Sequence, residues 1–155
     1  MGGAMPQSLA KLYVHIVFST KERFPFLQDK DIREEMHAYL GGICRNQNSP
    51  ALVVGGVTDH VHILSRLGRV ISVADLLKEI KIQSSKWIKT KGGLLTKFRW
   101  QNGYGAFSVG QQELESVISY IRDQQEHHRK KTFQDEYRNF LREYDIEYDE
   151  RYVWD

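Results

Sequence analysis

Residues 57–64 read VTDHVHIL, with His60 and His62 either side of Val61. On a β-strand, residues i and i+2 share a face and stand roughly 7 Å apart. Two imidazoles at that spacing can hold one divalent ion. They can equally be two polar residues tolerated on an exposed sheet face, and spacing alone leaves both readings open. Two close imidazoles repel each other when both are protonated, so a dication that keeps them neutral would resolve the pair. With oxygen as the third donor and no thiolate, the set suits Mg²⁺, Mn²⁺ or Zn²⁺. His15, Asp59, Gln124 and His127 are the candidate third ligands. An open, incompletely coordinated site would favour a phosphoryl substrate.

A second chemical feature lies downstream. The spacing predicts a helix over 111–129, with Leu114, Val117, Ile118 and Ile121 as its apolar stripe. Tyr120, Gln124 and His127 then share a line about 100° around from the centre of that stripe. A tyrosine at the edge of an apolar stripe ordinarily packs its ring and leaves its hydroxyl wet. Beside a cation it has another use. A phenol of pKa near ~10 is a poor nucleophile until deprotonated, and a metal-polarised phosphodiester is a better target for it. The resulting phosphotyrosine ester stores the energy of the broken bond, so rejoining needs no ATP.

Positioning these groups falls to a recognisable order of elements. Residues 11–19, KLYVHIVFS, alternate, with Leu12, Val14, Ile16 and Phe18 on one face and Tyr13, His15, Val17 and Ser19 on the other. Residues 29–46 carry Ile32, Met36, Leu40, Ile43 and Cys44 at helical spacing, with Gly41-Gly42 as a weak point. ALVVGG is a second strand and DHVHILSRL a third, with Val61, Ile63 and Leu67 opposite His60, His62, Leu64 and Arg66. Ser72 can N-cap a helix that KGG at 91–93 ends, with Asp75 in the capping-box position. FRWQNGYGAFSV is extended, a fourth strand with a Gly-rich break, and TFQDEYRNFLREY is a short last helix. The order β-α-β-β-α-β predicts an α+β, ferredoxin-like (RRM-like) antiparallel sheet with two helices on one face. Strands one and three are then the central pair, and the face carrying His15, His60 and His62 is left for the tyrosine-bearing helix to cover. Residues 1–10 read as a flexible N-terminus and 11–155 as a single domain. The aromatic tail, with Tyr148, Tyr152 and Trp154, is expected to dock.

Composition narrows the classes. Cys44 is the only cysteine, which excludes a disulfide framework or a cysteine-rich zinc site and fits a reducing, cytoplasmic setting. No run reaches the ~18 apolar residues of a membrane helix, and the first residues lack a signal-peptide pattern. Net charge is +2, but residues 71–100 hold seven Lys or Arg against two acids, and residues 132–155 hold eight acids against three Arg. A basic middle and an acidic tail are consistent with a polyanion-binding face opposite a solvated one, and also with ordinary surface charge. Lys81, Lys86 and Lys89, with Lys21 and Arg23 after the first strand, are candidate phosphate contacts. Trp100 and Tyr104 are candidate base-stacking rings, although Trp100 also suits plain core packing.

Taken in order, KLYVHIVFSTKER, the His-hydrophobic-His of DHVHIL, WQNGYGAFSV and SYIRDQQEHH resemble the single-tyrosine HUH transposases of the smallest bacterial and archaeal insertion sequences. That group includes the REP-associated tyrosine transposases and domesticated relatives. The resemblance runs over nearly the whole chain. It implies that His60 and His62 bind Mg²⁺ or Mn²⁺ and that Gln124 is the third ligand. It implies that Tyr120 attacks single-stranded DNA to form a 5′-phosphotyrosine link. It further implies a homodimer in which one subunit's tyrosine helix can complete the other's site, and substrates that are hairpin-containing element ends.

Two other classes stay in view. The same sheet hosts non-catalytic single-strand binders that stack bases on sheet aromatics, and here the sheet face offers histidines instead. A domesticated, inactive copy would also bind without cutting. A metal-dependent hydrolase with no covalent intermediate would leave Tyr120 a purely structural residue.

Overall fold

The computed structural model describes residues 7–124 and 131–155. Four strands form one antiparallel sheet: β1 (Tyr13–Ser19), β2 (Ala51–Gly56), β3 (His60–Arg66) and β4 (Gly105–Val109), in the order β2-β3-β1-β4. β1 and β3 are therefore central, as the element order predicts. Their register sets Ser19 opposite His60, Val17 opposite His62 and His15 opposite Leu64.

The alternation in both strands sorts side chains cleanly. Val14, Ile16, Phe18, Val61 and Ile63 enter a core under α1 (Lys30–Asn46) and α2 (Val73–Lys89), with Met36, Leu40, Leu76 and Ile80 among its helical members. Each of these buried aliphatic side chains stabilises the fold by about 1.5–3 kcal/mol relative to exposure. Both helices start where their capping residues place them. The Asp29 carboxylate accepts from the backbone of Asp31 and Ile32, and Ser72 Oγ accepts from Asp75 N–H. Gly41 and Gly42 do not interrupt α1.

The second face is covered too, by two further helices. α3 (Leu114–Arg122) lays Leu114 and Ile121 on Leu64 and Val109. α4 (Phe133–Glu143) brings Phe133, Tyr137 and Leu141 onto Val17 and Phe107, starting at Thr132, whose Oγ1 accepts from Asp135 N–H. Trp154 of the tail closes on Phe133 and Tyr137, with the guanidinium groups of Arg23 and Arg138 5.7 and 5.0 Å from its ring centre. Of the three tail rings expected to dock, Trp154 does; Tyr152 is 63% exposed. Among the described residues no helix is long and apolar enough to cross a membrane.

Three expectations need correction. The fourth strand is shorter than the extended stretch 98–109: only Gly105–Val109 pairs along β1, and Trp100 makes a lone bridge to Thr20. Residues 101–103 hand their carbonyls to the Lys81 ammonium at 2.9, 3.1 and 2.7 Å, and although Gln101 N–H still donates to Ser19 O, the ladder is interrupted over 102–104. The third helix starts at Leu114, after a 3₁₀ turn at Gln111–Glu113, and ends at Arg122, because Asp123 turns out to φ −96, ψ 25. Gln124 therefore lies past a helix end, not one regular turn beyond Tyr120. Leu12, expected in the core face, precedes the strand and is 61% exposed.

Gly55 shows how tightly the second layer sits. A Cβ there would lie 2.5 Å from the Ile121 carbonyl oxygen, a backbone atom that cannot swing away. Gly55→Ala is therefore expected to cost about 1–3 kcal/mol through overpacking. Urea unfolding monitored by circular dichroism checks this; an unchanged midpoint would mean that α3 shifts freely over β2.

Candidate active site

β3 places His60 and His62 on the second face, where α3 and α4 seal them completely: both are 0% exposed. Each ring is held from behind. His60 Nδ1 lies 2.7 Å from Asp59 Oδ1, and His62 Nδ1 lies 2.8 Å from His15 Nε2, with the His15 and His62 rings stacked at 5.1 Å. With both Nδ1 atoms engaged, both Nε2 atoms turn the same way, towards a residue absent from the sequence candidates. Glu136 Oε1, on α4, lies 3.1 Å from His62 Nε2 and 3.4 Å from His60 Nε2. Gln124 adds its Oε1 at 3.3 Å from His60 Nε2. Glu136 is 3% and Gln124 1% exposed.

Whether these groups suit a metal ion can be judged from the donor set. His60, His62 and Glu136 offer one atom each within 4.8 Å of one another. Bonds near ~2.1 Å put the ligands of one small divalent ion about 3.0–3.4 Å apart, which matches the 3.1 and 3.4 Å contacts. Electrostatics agrees. A buried carboxylate against two imidazole nitrogens needs positive charge between them. Without a metal that charge is a proton. Burial pulls the pKa of His60 down, but the hydrogen bonds and charges of Asp59 and Glu136 outweigh it and raise it to about 9. His15 goes the other way, to about 3, because it is buried and lies beside His62. It stays neutral and serves as a hydrogen-bond partner that orients the His62 ring, an arrangement of the kind found behind metal-binding histidines.

The second oxygen of Glu136 takes the nucleophile candidate. Tyr120 Oη donates to Glu136 Oε2, its ring edge-on to His62 at 5.8 Å and to Phe140 at 5.9 Å. Burial and then the Glu136 charge push the phenol far above its ordinary pKa. Gln124 Nε2 donates to the Tyr120 carbonyl at 3.2 Å and reaches Glu136 Oε2 at 3.5 Å. Outside Tyr120 is a cavity of about 170 Å³ lined also by Lys131, Asn139 and Glu143.

The structure thus brings His60, His62, Tyr120 and Gln124 together within one chain. Of the other third-ligand candidates, Asp59 and His15 stand behind the two histidines, and His127 lies outside the described residues. Glu136 did carry a sequence signal: it falls on the apolar stripe formed by Phe133, Tyr137, Phe140 and Leu141, where a carboxylate is out of place.

The candidate nucleic-acid contacts divide. Lys86 and Lys89 line an open groove of about 600 Å³ with Arg99 and Asn102. Lys81 also borders it, but its ammonium is committed to three backbone carbonyls. Trp100 is 7% exposed, donates from Nε1 to Ser84 Oγ and packs edge-on to Phe18 and Phe98. Its ring packs into the core, and the residue also lines that same groove. Tyr104 is 37% exposed. Lys21 and Arg23 sit in a 3₁₀ turn, with Arg23 against Trp154.

The sequence model of the IS200-like transposase family matches residues 8–124. The chain belongs to this family. Solved structures agree on the fold of this IS200-like transposase. A transposase-like protein from Deinococcus radiodurans superposes with a TM-score of 0.61 at 20% identity, over 79% of this chain and 98% of the other. A REP-associated tyrosine transposase bound to a REP hairpin gives 0.55 at 13% identity, over 79% and 72%. No curated protein matches the chain in sequence.

Two outcomes follow for the transposase. The pKa of His60 in the folded protein, about 9, lies above the ordinary 6.5. The stability it contributes is therefore fully present below pH ~6.5 and is lost as pH rises towards 9. The melting temperature of the metal-free protein should fall across that window, and His60→Gln should flatten the slope. Separately, His15→Phe should weaken Mn²⁺ affinity by about 10- to 100-fold, read by calorimetry; unchanged affinity would show that His15 does not orient His62.

Proposed function

We propose that this transposase cuts and rejoins single-stranded DNA through a 5′-phosphotyrosine intermediate, with His60, His62 and Glu136 holding Mg²⁺ or Mn²⁺ and Gln124 beside them. The observation that carries this reading is the double engagement of Glu136. One carboxylate oxygen faces the histidine pair and the other accepts the Tyr120 hydroxyl.

When bound, the ion supplies Lewis-acid polarisation of the phosphodiester. The chain's own groups do the rest. Glu136 Oε2 is in place to accept the phenol proton as Tyr120 Oη forms its bond to phosphorus. The bond from phosphorus to the 3′-oxygen breaks and the proton taken up by Glu136 passes to that oxygen, leaving a 3′-hydroxyl on one strand end and the 5′-phosphate on Tyr120. Attack of a 3′-hydroxyl on that ester reverses the step and returns the phenol proton, so rejoining consumes no nucleotide. Gln124 ties the backbone of Tyr120 to the His60 side of the site. Because these groups come from one chain, cleavage in cis is the expectation, whether the protein acts as a monomer or as the homodimer that the family resemblance implies. The hairpin seen on the REP-associated relative supports hairpin-bearing DNA ends as the substrate, with Lys86, Lys89 and Tyr104 as contacts.

The single-strand-binder alternative is weaker on one specific count. Base stacking on the sheet needs an open face, and His15, His60 and His62 are at most 3% exposed under α3 and α4.

An SDS-stable adduct assay tests the proposal. Wild-type protein with hairpin-bearing single-stranded DNA and Mn²⁺ should form a covalent complex. Tyr120→Phe should form none, and His60→Ala and Glu136→Gln should each lower the rate by at least ~10²-fold. Cleavage that persists in Tyr120→Phe would make the protein a hydrolase. Binding without cleavage in either Mg²⁺ or Mn²⁺ would make it a binder or an inactive copy.

A further inference from the structure

The open groove of about 600 Å³ that Lys86 and Lys89 line has two walls of different kind. α2 supplies the first. Ile82, Ser85, Lys86 and Lys89 stand at the i, i+3, i+4, i+7 spacing that puts side chains on one face of a helix. Residues 99–102 supply the second, with Arg99 and Asn102 exposed along it. The walls are tied to each other. The Lys81 ammonium, from α2, takes the carbonyls of residues 101–103, and the Trp100 indole donates to Ser84 Oγ of α2.

The lining carries one sign of charge. Lys86, Lys89 and Arg99 contribute three cations, and no acidic residue lines the groove. Among the described residues, none of these three side chains is held in an ion pair. Three uncompensated cations in one concavity attract a polyanion. Two features select an unpaired strand over a duplex. Duplex DNA is read by an element that protrudes into one of its grooves, whereas this surface is concave. Ile82, 54% exposed, also lines the groove. An apolar side chain gains nothing from the phosphates of a duplex, but the faces of unpaired bases can cover it.

The groove stands at the end of the sheet where the histidines lie. Gln101 N–H donates to Ser19 O at 2.9 Å, and Gln101 Oε1 accepts from Ser19 N–H at 2.7 Å. Ser19 is the register partner of His60. The wall that carries Arg99 is thus hydrogen-bonded to the residue beside the first histidine.

We propose that this groove holds the unpaired segment of DNA that leads from the hairpin to Tyr120, with Lys86, Lys89 and Arg99 on its phosphates and Ile82 against a base. The inference rests on the strand-cleavage reading and deepens it, because it assigns the groove to the single-stranded part of the substrate and not to the stem.

The test is fluorescence anisotropy on the full chain in Mg²⁺, with an oligothymidine of about twelve residues and a blunt duplex of equal length as probes. The oligothymidine should bind at least ~10-fold more tightly than the duplex. Its affinity should fall with salt on a log–log plot. Combining Lys86→Gln, Lys89→Gln and Arg99→Gln should flatten that slope by about 2, at about 0.7 per single-strand phosphate contact. A control combining Arg45→Gln, Arg66→Gln and Arg69→Gln makes the same change in net charge away from the groove and should keep the wild-type slope. Ile82→Ser should weaken the oligothymidine about threefold with the slope unchanged. All seven side chains are exposed, so each variant should keep the wild-type circular dichroism spectrum. If the duplex binds as tightly as the oligothymidine, or the control flattens the slope as much as the groove variant does, the proposal is wrong. Groove-dependent binding by a protein that forms no covalent adduct would remove the cleavage reading and leave the groove standing. Adduct formation by a groove variant whose salt slope matches wild type would do the reverse.

Discussion

A carboxylate with almost no water around it has to be matched by positive charge or hydrogen bonds, and Glu136 is such a carboxylate. Its two oxygens are met by two imidazoles on one side and by a phenol and an amide on the other. The rest of the site can be understood as the way this requirement is met. Asp59 and His15 turn the rings so that both Nε2 atoms face Glu136. The proton on His60, or an ion in its stead, supplies the balancing charge. The same carboxylate that faces the two imidazoles also keeps Tyr120 protonated, so the phenol and the histidine pair are electrostatically coupled. A change at either end is felt at the other.

Such a site demands a sheet buried on both faces. A two-layer ferredoxin-like sheet leaves one face wet, and imidazoles there would be solvated and would titrate in the usual way. α3 and α4 add the third layer. They approach closely because β2 and β4 have glycines where they do: a Cβ at Gly55 would meet Ile121, and one at Gly105 would meet the Tyr137 ring at 2.5 Å. The small residues, the apolar stripes and the perturbed histidines are thus parts of a single arrangement, in which dry packing makes the electrostatics strong.

Local patterns made most of the fold legible. Period-two alternation assigned the faces of β1 and β3 correctly, the capping residues Asp29 and Ser72 marked helix starts, and the element order gave the sheet topology. Spacing marks the histidine pair, Tyr120 and Gln124 only as candidates, with the family resemblance supplying their expected roles, and the structure brings the four side chains together. What stayed hidden depended on contacts between distant parts of the chain. Glu136 is one of eight acids in an acidic tail, and only its place on an apolar stripe distinguishes it. Lys81 and Trp100 have surface-contact residue types, yet tertiary structure spends one on the carbonyls of 101–103 and the other on the core. The fourth strand is shorter than its alternation suggests: the carbonyls of residues 101–103 turn to the Lys81 ammonium, a contact that period-two reasoning cannot contain.

The family match ends at Gln124, and α4 begins at Phe133. The matched portion carries the histidines, the tyrosine and the glutamine, while the buried acid lies on the helix beyond it. A change confined to α4 would therefore alter the surroundings of Tyr120 and of both histidines without touching a residue of the matched segment.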